Sequence, residues 1–167
     1  MKISAVDLID LHLPFTADAD RHLRYWIPAW RNVQVCKLTL ESGVVGWGET
    51  IPHATHAQVA AGVADCIVGE DAAGLLWRDD LGAGVQLALF DAVGKNENVP
   101  AGDLLGTKVR DWCAISFWDH DMSPEKYEIE ARTAVDLGYT CMKIKTRPWF
   151  DVYETIRRIS DATPEHF

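Results

Sequence analysis

The stretch Gly138-Tyr139-Thr140-Cys141-Met142-Lys143-Ile144-Lys145 constrains this chain most: a short apolar strand with lysines at alternate positions near its end. Side chains alternate across a strand, so Cys141, Lys143 and Lys145 share one face, and Thr140, Met142 and Ile144 share the other. The second face suits a covering helix. Helical patterns flank the strand on both sides in sequence, which predicts a parallel sheet buried on both faces. Two ammonium groups pointing into an interior need anions, a metal-bound ligand or loss of a proton. Like charges at this spacing, partly desolvated, push one lysine toward neutrality, as a general base near neutral pH requires. The pattern also fits an edge strand with both lysines in water.

The surrounding sequence repeats one grammar. Trp112 to Trp118 reads as a short apolar strand. Ser123-Pro124-Glu125 is a helix start, with a capping hydroxyl, a proline in the first turn and an early acid. Tyr127, Ala131, Ala134 and Val135 form the buried stripe of that helix, and Gly138 closes it. After the lysine strand, Asp151 opens a second helix, with Glu154 as reciprocal cap and Val152, Ile156 and Ile159 facing inward. Strand, helix, strand, helix is the repeating unit of a parallel α/β fold.

The first two thirds of the chain differ. Ile3, Ala5, Ile9, Leu11 and Leu13 fall on one phase of a strand over Lys2 to Leu13. Pro14 to Arg31 carries Arg21, His22, Arg24, Tyr25, Trp26 and Trp30 without clear periodicity. It reads as a long loop, either in contact with a ligand or plugged onto the domain by its tryptophans. Asn32 to Leu40 is a second strand, whose apolar phase changes near Val35 and predicts a bulge there. Glu41-Ser42-Gly43 turns the chain into Val44 to Glu49, completing a hairpin. Gly46 and Gly48 leave one face of that strand bare, open to close approach by another backbone. Glu49 is either a ligand or a solvated strand end. Amphipathic helices are predicted over Thr55 to Val68 and over Val85 to Lys95, the second with Asp91 at the edge of its apolar stripe. Leu104-Leu105-Gly106 allows no more than a turn of helix. Three strands followed by helices make an α+β unit of roughly one hundred residues.

Composition excludes several classes. A net charge of −9 opposes a general nucleic-acid or anionic-membrane surface. No apolar run reaches bilayer length and Met1-Lys2-Ile3-Ser4 opens no signal-peptide core, so the expected compartment is the cytoplasm. Cys36, Cys66, Cys113 and Cys141 are scattered through apolar segments without paired spacing, and are expected to be buried thiols.

Three motifs in order then carry a resemblance: Val44-Val45-Gly46-Trp47-Gly48-Glu49 after a strand; Leu87 to Lys95 followed by Pro100 and Leu104-Leu105-Gly106; and Gly138-Tyr139 leading to Lys143-Ile144-Lys145. The chain resembles the N-terminal part of the enolase superfamily, in the mandelate racemase and muconate lactonizing enzyme group. That resemblance implies an α+β capping domain, expected over residues 1–111, and an incomplete TIM barrel of about two βα units over residues 112–167. It implies Lys145 as the base that removes a proton next to a substrate carboxylate, and Lys143 as the neighbour that tunes charge and helps hold the carboxylate. A Lys or His base with Mg²⁺ stabilising an enediolate is the chemistry that resemblance implies. Arg21, Arg24, Trp26 and Ile51 match the capping loops that close over substrate.

A complete barrel takes about 250 residues, whereas about 56 follow Trp112. The metal ligands of the family are therefore expected beyond Phe167, and Asp151, Asp161 and Glu165 do not stand where those ligands would. Three readings follow. The chain is an N-terminal fragment of a Mg²⁺-dependent isomerase, cycloisomerase or dehydratase acting on a small carboxylate. Alternatively it is a non-catalytic binding module, or one part of a split enzyme whose barrel another chain completes. Full length, the family implies a homo-oligomer.

Overall fold

The computed structural model describes residues 1–53 and 58–165, and the side chains of Asp18, His22 and Trp26 fall outside that description. Contacts divide the chain into two compact units, one of Met1–Phe15 with Ile27–Val109, the other of Thr16–Trp26 with Arg110–Phe167.

In the first unit, strands β1 (Ile3–His12), β2 (Asn32–Leu40) and β3 (Val45–Thr50) form an antiparallel sheet in the order β1-β2-β3. The register of β1 on β2 shifts between Ile3 and Ala5, where Ile3 lies opposite Leu40 and Ala5 opposite Thr39. This irregularity explains why one apolar phase does not describe β1. Ile3 is buried, but past the shift it is Val6 that packs on the core, while Ile9 and Leu11 are 39% and 38% exposed. The bulge expected near Val35 is absent, because β2 pairs without interruption with both neighbours. The phase change there is one of burial alone: Val33 is covered on one face, and Cys36, Leu38 and Leu40 on the other.

The helix α2 is confined to Val63–Ile67, far shorter than the periodicity from Thr55 predicts. Residues 54–57 of that segment lie outside the described residues. Gly62, in the left-handed region at φ 70°, sets its start. The long helix α3 (Ala83–Glu97) lies against the sheet and buries Val85, Ala88, Leu89, Ala92 and Val93 with Ile3, Leu38 and Leu40. Its approach to β3 is as close as the two glycines allow. A Cβ on Gly46 would stand 2.1 Å from the Ala88 carbonyl oxygen, and one on Gly48 would stand 2.0 Å from that of Gly84. A five-residue helix α4 (Ala101–Leu105) follows.

The second unit holds α1 (Ala17–Trp26), β4 (Phe117–Trp118), α5 (Pro124–Asp136), β5 (Met142–Lys143) and α6 (Val152–Ala162). The segment read as a long loop is thus largely helix. Its start is set by Thr16, whose hydroxyl accepts from Ala19 N–H at 3.5 Å. Leu23 is its one buried apolar residue among those with described side chains, which leaves almost no periodicity to detect. Helix α5 starts as expected, the Ser123 hydroxyl accepting from Lys126 N–H, and buries Tyr127, Ala131 and Ala134. On α6 the Asp151 carboxylate accepts from Glu154 N–H at 3.0 Å. The Glu154 carboxylate does not return the cap; it takes the Arg158 guanidinium at 2.9 Å, and the same arginine reaches Glu128 on α5 at 3.2 Å. Thr155 and Ile159 face the core of this unit, whereas Ile156, expected inside, is 51% exposed.

Strands β4 and β5 are parallel, as the sequence predicts, but each is two residues long. Among the described residues each has one partner, so regular pairing extends only where their two backbones meet. Of the four cysteines only Cys36 is buried; Cys66, Cys113 and Cys141 are exposed, against expectation. Burial pushes the Cys36 thiol up to about 11, with the Asp7 charge adding to the shift.

Candidate functional site

Strand β5 separates its side chains as alternation requires. Met142 and Ile144 pack against Met122 and against Tyr127, Ala131 and Ile159 of α5 and α6. Cys141, Lys143 and Lys145 stand on the other face, and all three are exposed. The expectation that both lysines point into a covered interior is therefore corrected for this chain. The helices α5 and α6 bury the Met142 face, and the ammonium groups keep their solvent.

That face is organised in rungs. Register places Phe117 beside Met142 and Trp118 beside Lys143. On the lysine side, Ser116 Oγ lies 3.2 Å from Cys141 Sγ. One rung on, Lys143 Nζ sits 5.5 Å from the centre of the Trp118 ring, within cation–π range. The Trp118 ring in turn meets the His120 ring edge-on at 4.1 Å.

Beyond β4 and β5 the two backbones are joined differently. The Tyr127 hydroxyl accepts from Lys145 N–H at 3.1 Å and donates to the His120 carbonyl at 2.5 Å. Burial pushes the Tyr127 phenol above its ordinary value, so this donor keeps its proton. Asp121, 1% exposed, takes the Arg147 guanidinium through both its oxygens, with Nη2 to Oδ2 at 2.9 Å and Nε on Oδ1. Those hydrogen bonds hold Arg147 above its ordinary pKa. His120 is pushed below its ordinary value by desolvation first, with Arg147 and Lys145 opposing its charge and Asp121 favouring it. A cavity of about 280 Å³ opens within the second unit, between Thr16, Ala19 and Leu23 on one side and Asp119 to Met122 on the other.

The remaining sequence candidates are placed as follows. Arg24 is held on its own helix, Nε reaching the Asp20 carbonyl and the Asp20 carboxylate, each at 3.2 Å, with its guanidinium 5.4 Å from the Tyr25 ring. Arg21 is exposed on the same helix. The Trp26 side chain lies outside the described residues, and Ile51, half-buried just past β3, belongs to the first unit. Asp151 is spent as a helix cap, and Asp161 pairs with Arg157 at 3.6 Å. Glu49 is exposed at the end of β3. Among the described residues no group of three or more His, Cys, Asp or Glu side chains could hold a metal ion, so the residues present do not make a magnesium site. None of the helices described is long and apolar enough to cross a membrane.

Sequence reasoning missed Trp118, His120, Tyr127 and the Asp121–Arg147 pair. A signal was present for most of them: Asp119-His120-Asp121 and Arg147 each follow an apolar strand of a parallel pair, and ligands of open α/β sheets gather outside the carboxyl ends of strands.

Comparison with known proteins fits this geometry. Residues 30–106 match the family described as mandelate racemase / muconate lactonizing enzyme, N-terminal domain. A D-galactonate dehydratase of Klebsiella pneumoniae is 29% identical over 154 residues, covering 81% of this chain and 40% of its own length. Among solved structures, the N-succinyl Arg/Lys racemase of Bacillus cereus has a TM-score of 0.74 at 19% identity, over 99% of this chain and 50% of that one. A dipeptide epimerase of Methylococcus capsulatus, solved in complex with a Mg ion, has a TM-score of 0.73 at 18% identity, over 99% and 50%. The chain thus spans half or less of the length of these relatives. Its architecture is an α+β capping region followed by the start of a (β/α) barrel, and residues 30–106 are similar to the N-terminal domain of the mandelate racemase/muconate lactonizing enzyme group.

Proposed function

We propose that this chain is the proton-abstracting end of an enolase-superfamily enzyme, with Lys145 the base that removes the hydrogen on the carbon next to a substrate carboxylate. Lys143 stands beside it on the same face and contributes positive charge toward the carboxylate. The observation that supports the reading is the placement of both lysines at the carboxyl end of a parallel strand, on the face away from the helices. The division into a capping domain at 1–111 and barrel units at 112–167 goes with this proposal. Further βα units close the barrel, in the same polypeptide or in a partner chain.

The substrate class is a small carboxylate with a hydrogen on the adjacent carbon. Relatives named as a sugar-acid dehydratase, an N-succinylamino acid racemase and a dipeptide epimerase all act on molecules of that kind. Arg21, Arg24, Trp26 and Ile51 belong to the proposed capping contacts. Magnesium, which accompanies one of these neighbours in its crystal, finds no ligand cluster among the described residues. Lys145 takes the proton on its Nζ, and the Lys143 ammonium, over the Trp118 ring, stands on the same face toward the developing anion.

The test uses the full-length gene product in deuterium oxide with a panel of D-galactonate, N-succinylamino acids and dipeptides, followed by proton NMR. Deuterium is expected to enter next to the carboxylate of at least one, and Lys145→Ala should abolish that exchange. Exchange that persists undiminished in Lys145→Ala would remove Lys145 as the base.

A further inference from the structure

We propose that Tyr127 is a positioning residue for Lys145: its hydroxyl replaces the strand-to-strand hydrogen bonding at the level of that lysine, and the Asp121–Arg147 pair locks the arrangement beyond it. The inference rests on the reading of Lys145 as the base, which it deepens.

Phe117 N–H donates to the Cys141 carbonyl at 2.9 Å, and Asp119 N–H to the Lys143 carbonyl at 3.3 Å. Continued at the same two-residue spacing, the pattern would bring Asp121 N–H to the Lys145 carbonyl. The Tyr127 phenol stands there instead. Its oxygen accepts from Lys145 N–H at 3.1 Å, donates to the His120 carbonyl at 2.5 Å, and lies 3.2 Å from the Lys145 carbonyl. The ring that carries it is 2% exposed and packed among Met122, Ala131 and Ile159. A hydroxyl on a ring so held is a fixed point, and a backbone N–H bonded to it is fixed in turn.

Past Lys145 the chain is pinned a second time. The buried Asp121 carboxylate takes Arg147 through a two-point contact that a more flexible cation would not reproduce. Lys145 is thus held between two anchors, neither of which belongs to a regular strand. The same hydroxyl fixes His120, whose ring leans on Trp118, and Trp118 lies under Lys143. One buried oxygen on α5 thereby sets the mutual placement of the groups on the lysine face.

The experiment uses the full-length gene product and two variants, Tyr127→Phe and Arg147→Lys, beside Ile159→Val, which loosens the same core without touching the hydroxyl. Amide hydrogen exchange is read at Lys145 and Lys143, and acylation of the two amines by acetic anhydride is read by peptide mass. In Tyr127→Phe the Lys145 amide should exchange about tenfold faster, as loss of one hydrogen bond implies. Its amide proton resonance should move upfield, and the Lys145-to-Lys143 acylation ratio should change at least about twofold, with the Lys143 amide unaltered. Arg147→Lys should move the same readouts in the same direction. The proposal is overturned if both variants leave Lys145 as it was, or if Ile159→Val at equal loss of Tm produces the same change. These readouts need no substrate. Deuterium wash-in that survives Lys145→Ala would remove the base while leaving the Tyr127 contact intact.

Discussion

The Asp91 carboxylate on α3 accepts the backbone N–H of Trp47 on β3 at 2.8 Å. Strand β3 is an edge of its sheet, and an edge presents unpaired backbone groups that invite another chain. Lys95 completes the arrangement, bonding the Val45 carbonyl at 3.0 Å and Asp91 itself at 2.6 Å. The motif Asp91 to Lys95 therefore closes the outer side of β3 with one acceptor and one donor. Asp91→Ala should destabilise the first unit by about 1–2 kcal/mol, since a charge-assisted bond is lost and an amide is left without its partner. Lys95→Met should cost less, because the carbonyl keeps access to water. Urea midpoints of the two variants test the ranking, and equal losses would contradict it.

Gly46 and Gly48 make a sharper prediction. Alanine at either position puts a methyl group about 2 Å from a backbone carbonyl oxygen of α3, a contact no side-chain rotation relieves. Gly46→Ala should lower stability by about 3 kcal/mol or more. Gly43, with open space around its Cβ position, is the control for a glycine that matters through φ alone. If Gly46→Ala melted within a degree of the parent, the close approach of α3 to β3 would be wrong.

Acid should weaken the second unit through His120. Its folded pKa lies below the ordinary value of 6.5, because burial disfavours the imidazolium. Between those two values the unfolded chain holds a proton that the folded chain does not, so stability falls as pH drops through that window and is whole above it. His120→Gln should flatten the difference between urea midpoints measured at pH 7.5 and pH 5.5. An undiminished difference in the variant would assign the acid sensitivity elsewhere.

Cys36 gives the opposite sign. Its thiol, raised to about 11, stays protonated where exposed thiols ionise. At pH 8.5 a maleimide reagent should label Cys66, Cys113 and Cys141 and spare Cys36 until the protein unfolds. Since the unfolded thiol ionises first, the contribution of Cys36 to stability is present below its unfolded pKa and fades as pH rises toward 11. Early labelling of Cys36 in the folded protein would show that the sheet opens locally.

Local chemistry determined much of this protein without any tertiary context. The alternation of Met142 and Ile144 with Lys143 and Lys145 assigns the two faces of β5, because a strand has no other way to place successive side chains. Ser123-Pro124 and Asp151 mark helix starts, because a capping oxygen answers orphan N–H groups within three residues. Gly46 and Gly48 announce a close backbone approach, since nothing else explains two bare positions on one strand face. What the sequence could not reveal depends on groups distant along the chain. The register shift that redirects β1 exists only against β2. Helix α1 has too few apolar positions to show a period, and its place in the second unit comes from contacts rather than propensity. Tyr127 reads from sequence as one more core aromatic; its hydroxyl gains a role only when His120 and Lys145, 7 and 18 residues away, arrive on either side. Likewise Asp121 and Arg147, 26 residues apart, pair only because parallel strands bring their carboxyl ends together, and the arginine, itself partly exposed, answers a buried carboxylate that would be costly to leave unpaired. Periodicity and capping are short-range and survive in the one-dimensional record, whereas hydrogen bonds and ion pairs across elements depend on the packing that brings their partners together.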